Sequence, residues 1–169
     1  SMADSAYAEL AMESRLAQAV RDQEFVLHFQ PQVRLADGAL TGCEALIRWA
    51  HPERGLVGPD ALIPLAESRR LMLPIGHWVL RQALRQALHW RALGLAELPV
   101  AVNLSSVQFQ AADFVESVEA ALRDEGADGA LLELELTERM LMDDLEPVRG
   151  KLLRLKALGV RIAIDDFGT

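Results

Sequence analysis

The sequence predicts an α/β protein, a mainly parallel sheet with helices packed outside it, and three observations carry that reading. Strands and amphipathic helices alternate regularly from residue 100 onward, the pattern of βαβ units. Asn103, Glu135 and Asp165 recur at intervals of 32 and 30 residues, close to the ~30-residue length of one such unit. Each of them ends a short apolar strand with a polar side chain, which is where parallel sheets and barrels place their sites.

Residues 4–21 hold Leu10, Leu16 and Val20 at helical spacing among alanines, which predicts a lead-in helix. The lead-in is taken as residues 4–23, the catalytic-type domain as 24–169, and residues 1–3 as a cloning remnant. Residues 25–33 alternate as a strand interrupted near its end by Pro31. Asp37-Gly38 is a hairpin signal, so the strand over residues 40–49 is expected to return antiparallel to the first. Residues 51–60 contain two prolines and two glycines and predict a loop. A short helix is expected over 62–70. Val79, Leu80, Ala83, Leu84, Ala87 and Leu88 then form a helical stripe that ends at Gly94, a favourable C-cap residue. The long interval from Glu44 to Asn103 therefore reads as one unit with an insertion.

The strand carrying Asn103 is followed by a helix with Phe114, Val115, Val118 and Leu122. The strand carrying Glu135 is followed by a helix with Leu145, Val148, Leu152 and Leu155, closed by Gly159. A last strand covers 160–165. Five strands are reached by Thr169, whereas a complete eight-stranded barrel takes about 250 residues. The expectation is an incomplete, about five-stranded barrel, a fragment of a longer protein.

Composition narrows the function classes. A hydrophobic content of 51% in 169 residues supports one folded core and excludes disorder. The net charge of −8 gives no electrostatic reason to bind polyanionic DNA, although bound cations can reverse the local sign. One cysteine, Cys43, cannot form an internal disulfide, which fits a reducing, cytoplasmic setting or the cytoplasmic portion of a membrane-bound parent. No apolar run reaches the ~18–20 residues of a membrane span, and no signal peptide pattern is present.

Period-two alternation puts Glu44 and Arg48 on one face of their strand and Ala45 and Ile47 on the other. The same rule sets Asn103 opposite Val102 and Leu104, Glu135 opposite its flanking leucines, and Asp165 opposite Ile162 and Ile164. Asp166 adds a second carboxylate at the last strand end. Any one of these alone reads as a solvated strand end or a turn residue. Four in phase on separate strands read as one oxygen-rich site suited to Mg²⁺ or Mn²⁺, rather than to zinc. Two such ions about 3.5–4 Å apart can clamp a phosphodiester, and Arg48 is placed to fork its oxygens. His28, His51, His77 and His89 show no ligand spacing, Trp49, Trp78 and Trp90 read as packing, and Cys43 reads as a small core residue.

These residues resemble a known family. Glu44-Ala45-Leu46, continuing to Arg48-Trp49 and His51-Pro52, is similar to the signature of the EAL domain. Phe29-Gln30-Pro31, Pro64 with Ala66-Glu67, Asn103-Leu104-Ser105, Glu135-Leu136-Thr137-Glu138 and Asp165-Asp166-Phe167-Gly168-Thr169 follow in family order and spacing, from about residue 9 to the end. The resemblance implies a TIM-type (β/α)₈ barrel with one antiparallel strand, and metal-dependent hydrolysis of cyclic di-GMP to the linear dinucleotide in bacterial signalling. It implies that Glu44, Asn103, Glu135, Asp165 and Asp166 are metal ligands, and that Glu138 steadies the loop after Asp166-Phe167-Gly168. Gln30, Leu46 and Arg48 resemble substrate contacts. Mg²⁺ or Mn²⁺ is the expected cofactor, with Ca²⁺ non-productive. The expected partners are cyclic di-GMP, a second copy of the chain, and a sensory or GGDEF domain.

The chain departs from the family pattern at Phe29, where tyrosine is common, at Arg70, where glycine is usual, and at Leu62, where phenylalanine is usual. The family's later lysine and aspartate pair, second catalytic glutamate and terminal glutamine all fall beyond Thr169, so the fragment alone is expected to be inactive. Two other functions are of different classes: a non-catalytic cyclic di-GMP receptor, which the intact first-half ligand set weighs against, and a dimerisation module attached to a sensor.

Overall fold

A computed structural model describes residues 2–95 and 97–165. A long helix, α1 (Met2–Asp22), leads into the hairpin β1 (Phe25–Val33) and β2 (Leu40–His51). A short strand β3 (Gly55–Val57) and two helices, α2 (Pro59–Ser68) and α3 (Met72–Ala92), complete the insertion. Then come β4 (Val100–Asn103), α4 (Ser106–Gln110), α5 (Phe114–Glu125), β5 (Leu132–Thr137), α6 (Glu138–Met142), α7 (Leu145–Ala157) and β6 (Arg161–Asp165). The strands lie in the order β1-β2-β4-β5-β6; β1 is antiparallel to β2, and β2, β4, β5 and β6 run parallel. This is the open, partial form of a (β/α)₈ barrel with one antiparallel strand.

Alternation sets the two faces of the sheet. Leu132, Leu134 and Leu136 of β5 are fully buried under the helices, as are Val100 and Val102 of β4. Helix α3 buries Met72, Ile75, Gly76, Val79, Leu80, Ala83, Leu84 and Ala87, the single apolar stripe that its spacing predicts. Trp49 is fully buried, and Trp78 and Trp90 pack against Phe25 and Phe29 at centroid distances of 5.7 and 5.1 Å. Pro31 does not break β1, which runs on to Val33. Among the described residues β1 pairs only with β2, so a missing N–H can face away from the ladder.

Several local expectations need correction. The predicted 51–60 loop contains β3, which pairs antiparallel with Trp49, Ala50 and His51. The turn between them is held by His51 Nδ1, which accepts from the backbone N–H groups of Glu53 and Arg54 at 3.1 and 3.2 Å. Helix α2 begins at Pro59 and ends at Ser68, not over 62–70, because proline at the first helical position sacrifices an N–H that has no partner there anyway. The short helices α4 and α6 were not anticipated; each follows a hydroxyl residue, Ser105 or Thr137, whose side chain accepts from the backbone three residues on. Only Leu155 of the predicted α7 stripe is fully buried, and Leu145 is exposed. Helix α7 packs beside β6, the last described strand.

Helix α1 is more than a leader. Leu16 and Ala19 are buried in the core, and Arg15 makes an ion pair with Glu24, whose other oxygen accepts from Trp49 Nε1 at 3.1 Å. The Arg15 guanidinium, aided by Trp49, holds the Glu24 carboxyl below the usual carboxylate range. Its N-terminal half differs, with Met2, Tyr7 and Leu10 exposed. Among the described residues, no helix is long and apolar enough to cross a membrane.

Candidate active site

The sheet register assembles the site before any side chain is considered. Gln30 of β1 lies opposite Glu44 of β2, and Asn103 of β4 lies opposite Glu135 of β5. Thr137 stands between Glu135 and the β6 terminus, opposite Asp165. Parallel pairing of four neighbouring strands, β2, β4, β5 and β6, aligns their C-terminal directions, and the pleat turns Glu44, Asn103, Glu135 and Asp165 to the same face.

The side chains then make specific contacts. Asn103 Nδ2 donates to Glu44 Oε1 at 2.8 Å. Because the nitrogen is committed to Glu44, Oδ1 is left as the amide's acceptor atom. The Glu135 carboxyl lies close enough to Glu44 for the two to interact electrostatically. Burial pushes its pKa up to about 7, and the negative charges of Glu44 and Asp165 add to the effect. Glu135 is only 8% exposed, while Asn103 and Asp165 open to solvent and Glu44 is half-buried.

The substrate-side candidates fall around this cluster. Arg48 and Leu46 share the face of Glu44 on β2; with Asn103 they also touch a cavity of about 280 Å³ that lies mainly between the sheet and α2 and α3, lined by Ala45, Ile47, Ile75 and Val79 and not by Glu44 or Glu135. Arg48 Nη1 donates to the carbonyl of its neighbour Ile47 at 2.8 Å. Gln30 is exposed beside Glu44. Glu138 is not drawn into the cluster; it opens α6 as an exposed residue. Asp166, and the segment after Asp166-Phe167-Gly168 that Glu138 is expected to steady, lie outside the described residues.

The donor set is three carboxylates and an amide oxygen, which is hard-cation chemistry. Among the described residues no three His, Cys, Asp or Glu side chains are arranged to hold a metal ion as they stand. Burial and the neighbouring charges of Glu44 and Asp165 hold the Glu135 carboxyl above the usual carboxylate range, and a divalent ion would compensate that crowding of negative charge. The residues present therefore fit a divalent ion.

Sequence reasoning missed Gln108. It is 4% exposed, and its Oε1 accepts from the backbone N–H and the hydroxyl of Ser105 at 3.1 and 3.2 Å. Ser105 Oγ in turn accepts from Gln108 N at 3.2 Å, closing a reciprocal capping box two residues after Asn103. The signal was legible as serine followed three positions later by glutamine. Cys43 is buried on the opposite face from Glu44, and burial pushes its thiol up to about 11, so it is inert packing.

Known proteins with this arrangement are numerous. The family model described as "EAL domain" matches residues 13–169. The chain is 43% identical over all its 169 residues to the bifunctional diguanylate cyclase/cyclic di-GMP phosphodiesterase MucR of Pseudomonas aeruginosa, covering 25% of that protein. It is 44% identical over 161 residues, 95% of the chain, to the cyclic di-GMP phosphodiesterase NbdA of the same organism, covering 21% of it. The chain therefore spans about a quarter or less of these relatives. Among solved structures, a PaMucR phosphodiesterase in complex with c-di-GMP superposes with a TM-score of 0.87 at 45% identity, over 91% of this chain and 62% of that one. An EAL enzyme with cAMP and cyclic-di-GMP bound gives 0.85 at 36% identity, over 98% and 46%.

Proposed function

The chain belongs to the EAL domain family, and from that premise we propose that it forms part of a metal-dependent phosphodiesterase that opens cyclic di-GMP to the linear dinucleotide. The observation that carries this reading is the Asn103–Glu44–Glu135 cluster, with Asp165 beside it, on one face of four adjacent parallel strands. The printed activities of MucR and NbdA support the substrate class.

Glu44, Asn103, Glu135 and Asp165 would hold Mg²⁺ or Mn²⁺, with Asp166 serving a second ion. Bound there, the ions supply Lewis-acid polarisation of the phosphodiester and a water acidic enough to attack at neutral pH. The chain's own residues supply position. Arg48 offers a guanidinium to a phosphate oxygen, Leu46 an apolar wall, and Gln30 an amide at the rim. Asn103 fixes the orientation of the Glu44 carboxylate through its 2.8 Å bond. Glu138, at the first turn of α6, steadies the segment that follows Asp166.

We assign residues 24–169 to the EAL domain and 4–23 to the helix entering it, in a cytoplasmic protein that pairs with a second copy and is joined to a sensory or GGDEF domain. The diguanylate cyclase half of MucR's name supports the last point. The test is product analysis with the full-length protein: linear dinucleotide should accumulate in Mg²⁺ or Mn²⁺ and be absent with Glu44→Ala. Full turnover by that variant would overturn the site assignment. Tight cyclic di-GMP binding without product would mark a receptor instead.

A further inference from the structure

Helix α3 carries a glycine, Gly76, in its buried stripe, where alanine would favour the helix. The reason lies across the helix layer. A Cβ at Gly76 would stand 1.8 Å from Gln108 Nε2 and 2.3 Å from its Cδ. The Gln108 amide is therefore seated directly on the α3 backbone. It is not a free side-chain end that could swing aside at little cost, because its Oε1 is held by both donors of Ser105 and the residue is almost fully buried. The other end of that capping box is Ser105, two residues from Asn103, and Asn103 is the residue that holds Glu44.

We infer that Gln108, seated on Gly76, is a positioning residue that sets the Asn103–Ser105 segment and through it the cation-binding geometry of Asn103 and Glu44. This rests on the metal-dependent reading above. The path runs from the α3 backbone by close packing to the Gln108 amide, by hydrogen bonds to Ser105, along two residues of backbone to Asn103, and by a hydrogen bond to Glu44. The cavity of about 280 Å³ bordered by Gly76, Gln108 and Asn103 gives the segment somewhere to go. An alanine at 76 is accommodated by shifting α4, not by breaking α3, so the disturbance travels toward Asn103.

The test is Mn²⁺ affinity of the full-length protein, followed by the loss of the free-ion electron paramagnetic resonance signal, together with thermal melting. Gly76→Ala and Gln108→Ala should each weaken Mn²⁺ binding about tenfold, the size seen when supporting residues behind a ligand are removed. The double variant should bind no more weakly than Gln108→Ala alone, because without the amide there is no collision to transmit. Wild-type affinity in both single variants, or a lowered melting temperature with unchanged affinity, would overturn the inference and leave the site reading intact. No Mn²⁺ binding by the wild-type protein would overturn the site reading and the inference with it. If Gly76→Ala fails to fold, Gln108→Ala decides.

Discussion

Asn103 and Glu44 are 59 residues apart in sequence and are joined by a 2.8 Å hydrogen bond from Nδ2 to Oε1. The bond does two things at once. It anchors a half-buried carboxylate that lies beside the buried Glu135, and it turns the amide so that only Oδ1 remains to meet a cation. Asn103→Ala should therefore lower both Mn²⁺ affinity and turnover of the full-length protein by at least tenfold. Asn103→Asp keeps an oxygen ligand but places a fourth carboxylate beside Glu44 without a donor. Its expected signature is weaker folding without metal, by about 1 kcal/mol, with stability partly restored when Mn²⁺ is added. Denaturant midpoints with and without the ion check this, and an unchanged metal-free midpoint would contradict it.

The Glu135 carboxyl makes the metal-free site pH-sensitive, with a definite sign. The unfolded chain releases this proton near 4.5, while the folded chain holds it to about 7. Below 4.5 both states keep it and the site costs nothing. Between these values the unfolded state alone has ionised, so stability falls as pH rises, by up to about 1.4 kcal/mol per unit. Above about 7 the whole penalty is present, on the order of 3–4 kcal/mol. Glu135→Gln removes the charge. Without metal it should melt at a higher temperature than wild type at pH 8, by several degrees, and the difference should vanish near pH 4.5. The same variant should lose hydrolysis. Equal metal-free melting at pH 8 would show that Glu135 carries no such cost.

What the sequence revealed and what it hid follow from the range of the interactions. The strand faces of Glu44, Asn103, Glu135 and Asp165 were legible because alternation is a local, period-two property. The antiparallel hairpin was legible because Asp37-Gly38 is a local turn signal. Strand β3 was hidden because glycine and proline at 52–59 advertise a turn and give no sign that three residues between them pair with β2. The α7 stripe was over-read because spacing reports which residues could face a partner, not whether the partner covers them; Leu145 is exposed and Leu155 is buried on the same helix. Gly76 could not be understood from its own helix at all. Its requirement comes from Gln108, a contact visible only in three dimensions.

Calcium should separate binding from catalysis. The oxygen donors of the cluster suit it, but its longer and looser coordination would misplace an attacking water relative to a site built for smaller ions. Ca²⁺ is expected to support cyclic di-GMP binding by the full-length protein while linear product forms at least tenfold more slowly than in Mg²⁺. Equal initial rates in the two ions would contradict a site that depends on tight octahedral geometry.

Arg70 shows what a departure from the family pattern costs. Helix α2 ends with the N–H of Leu71 bonded to Ala66 O at 2.8 Å and that of Arg70 to Glu67 O at 3.2 Å, the paired closure that needs a left-handed residue between helix and loop. Arg70 fills that position with φ of 56°. A side chain there crowds its own backbone by roughly 1–2 kcal/mol relative to an ordinary conformation, which is why glycine is expected at this point. Glycine gives back part of that gain through the extra freedom of the unfolded chain. Arg70→Gly should still stabilise the fold by about 0.5–1 kcal/mol. The site should be unaffected, because the change is confined to the exposed end of α2. Urea midpoints of the chain check the first claim and Mn²⁺ affinity the second. A midpoint that falls on substitution would mean that the arginine side chain contributes more through its contacts than its backbone strain removes.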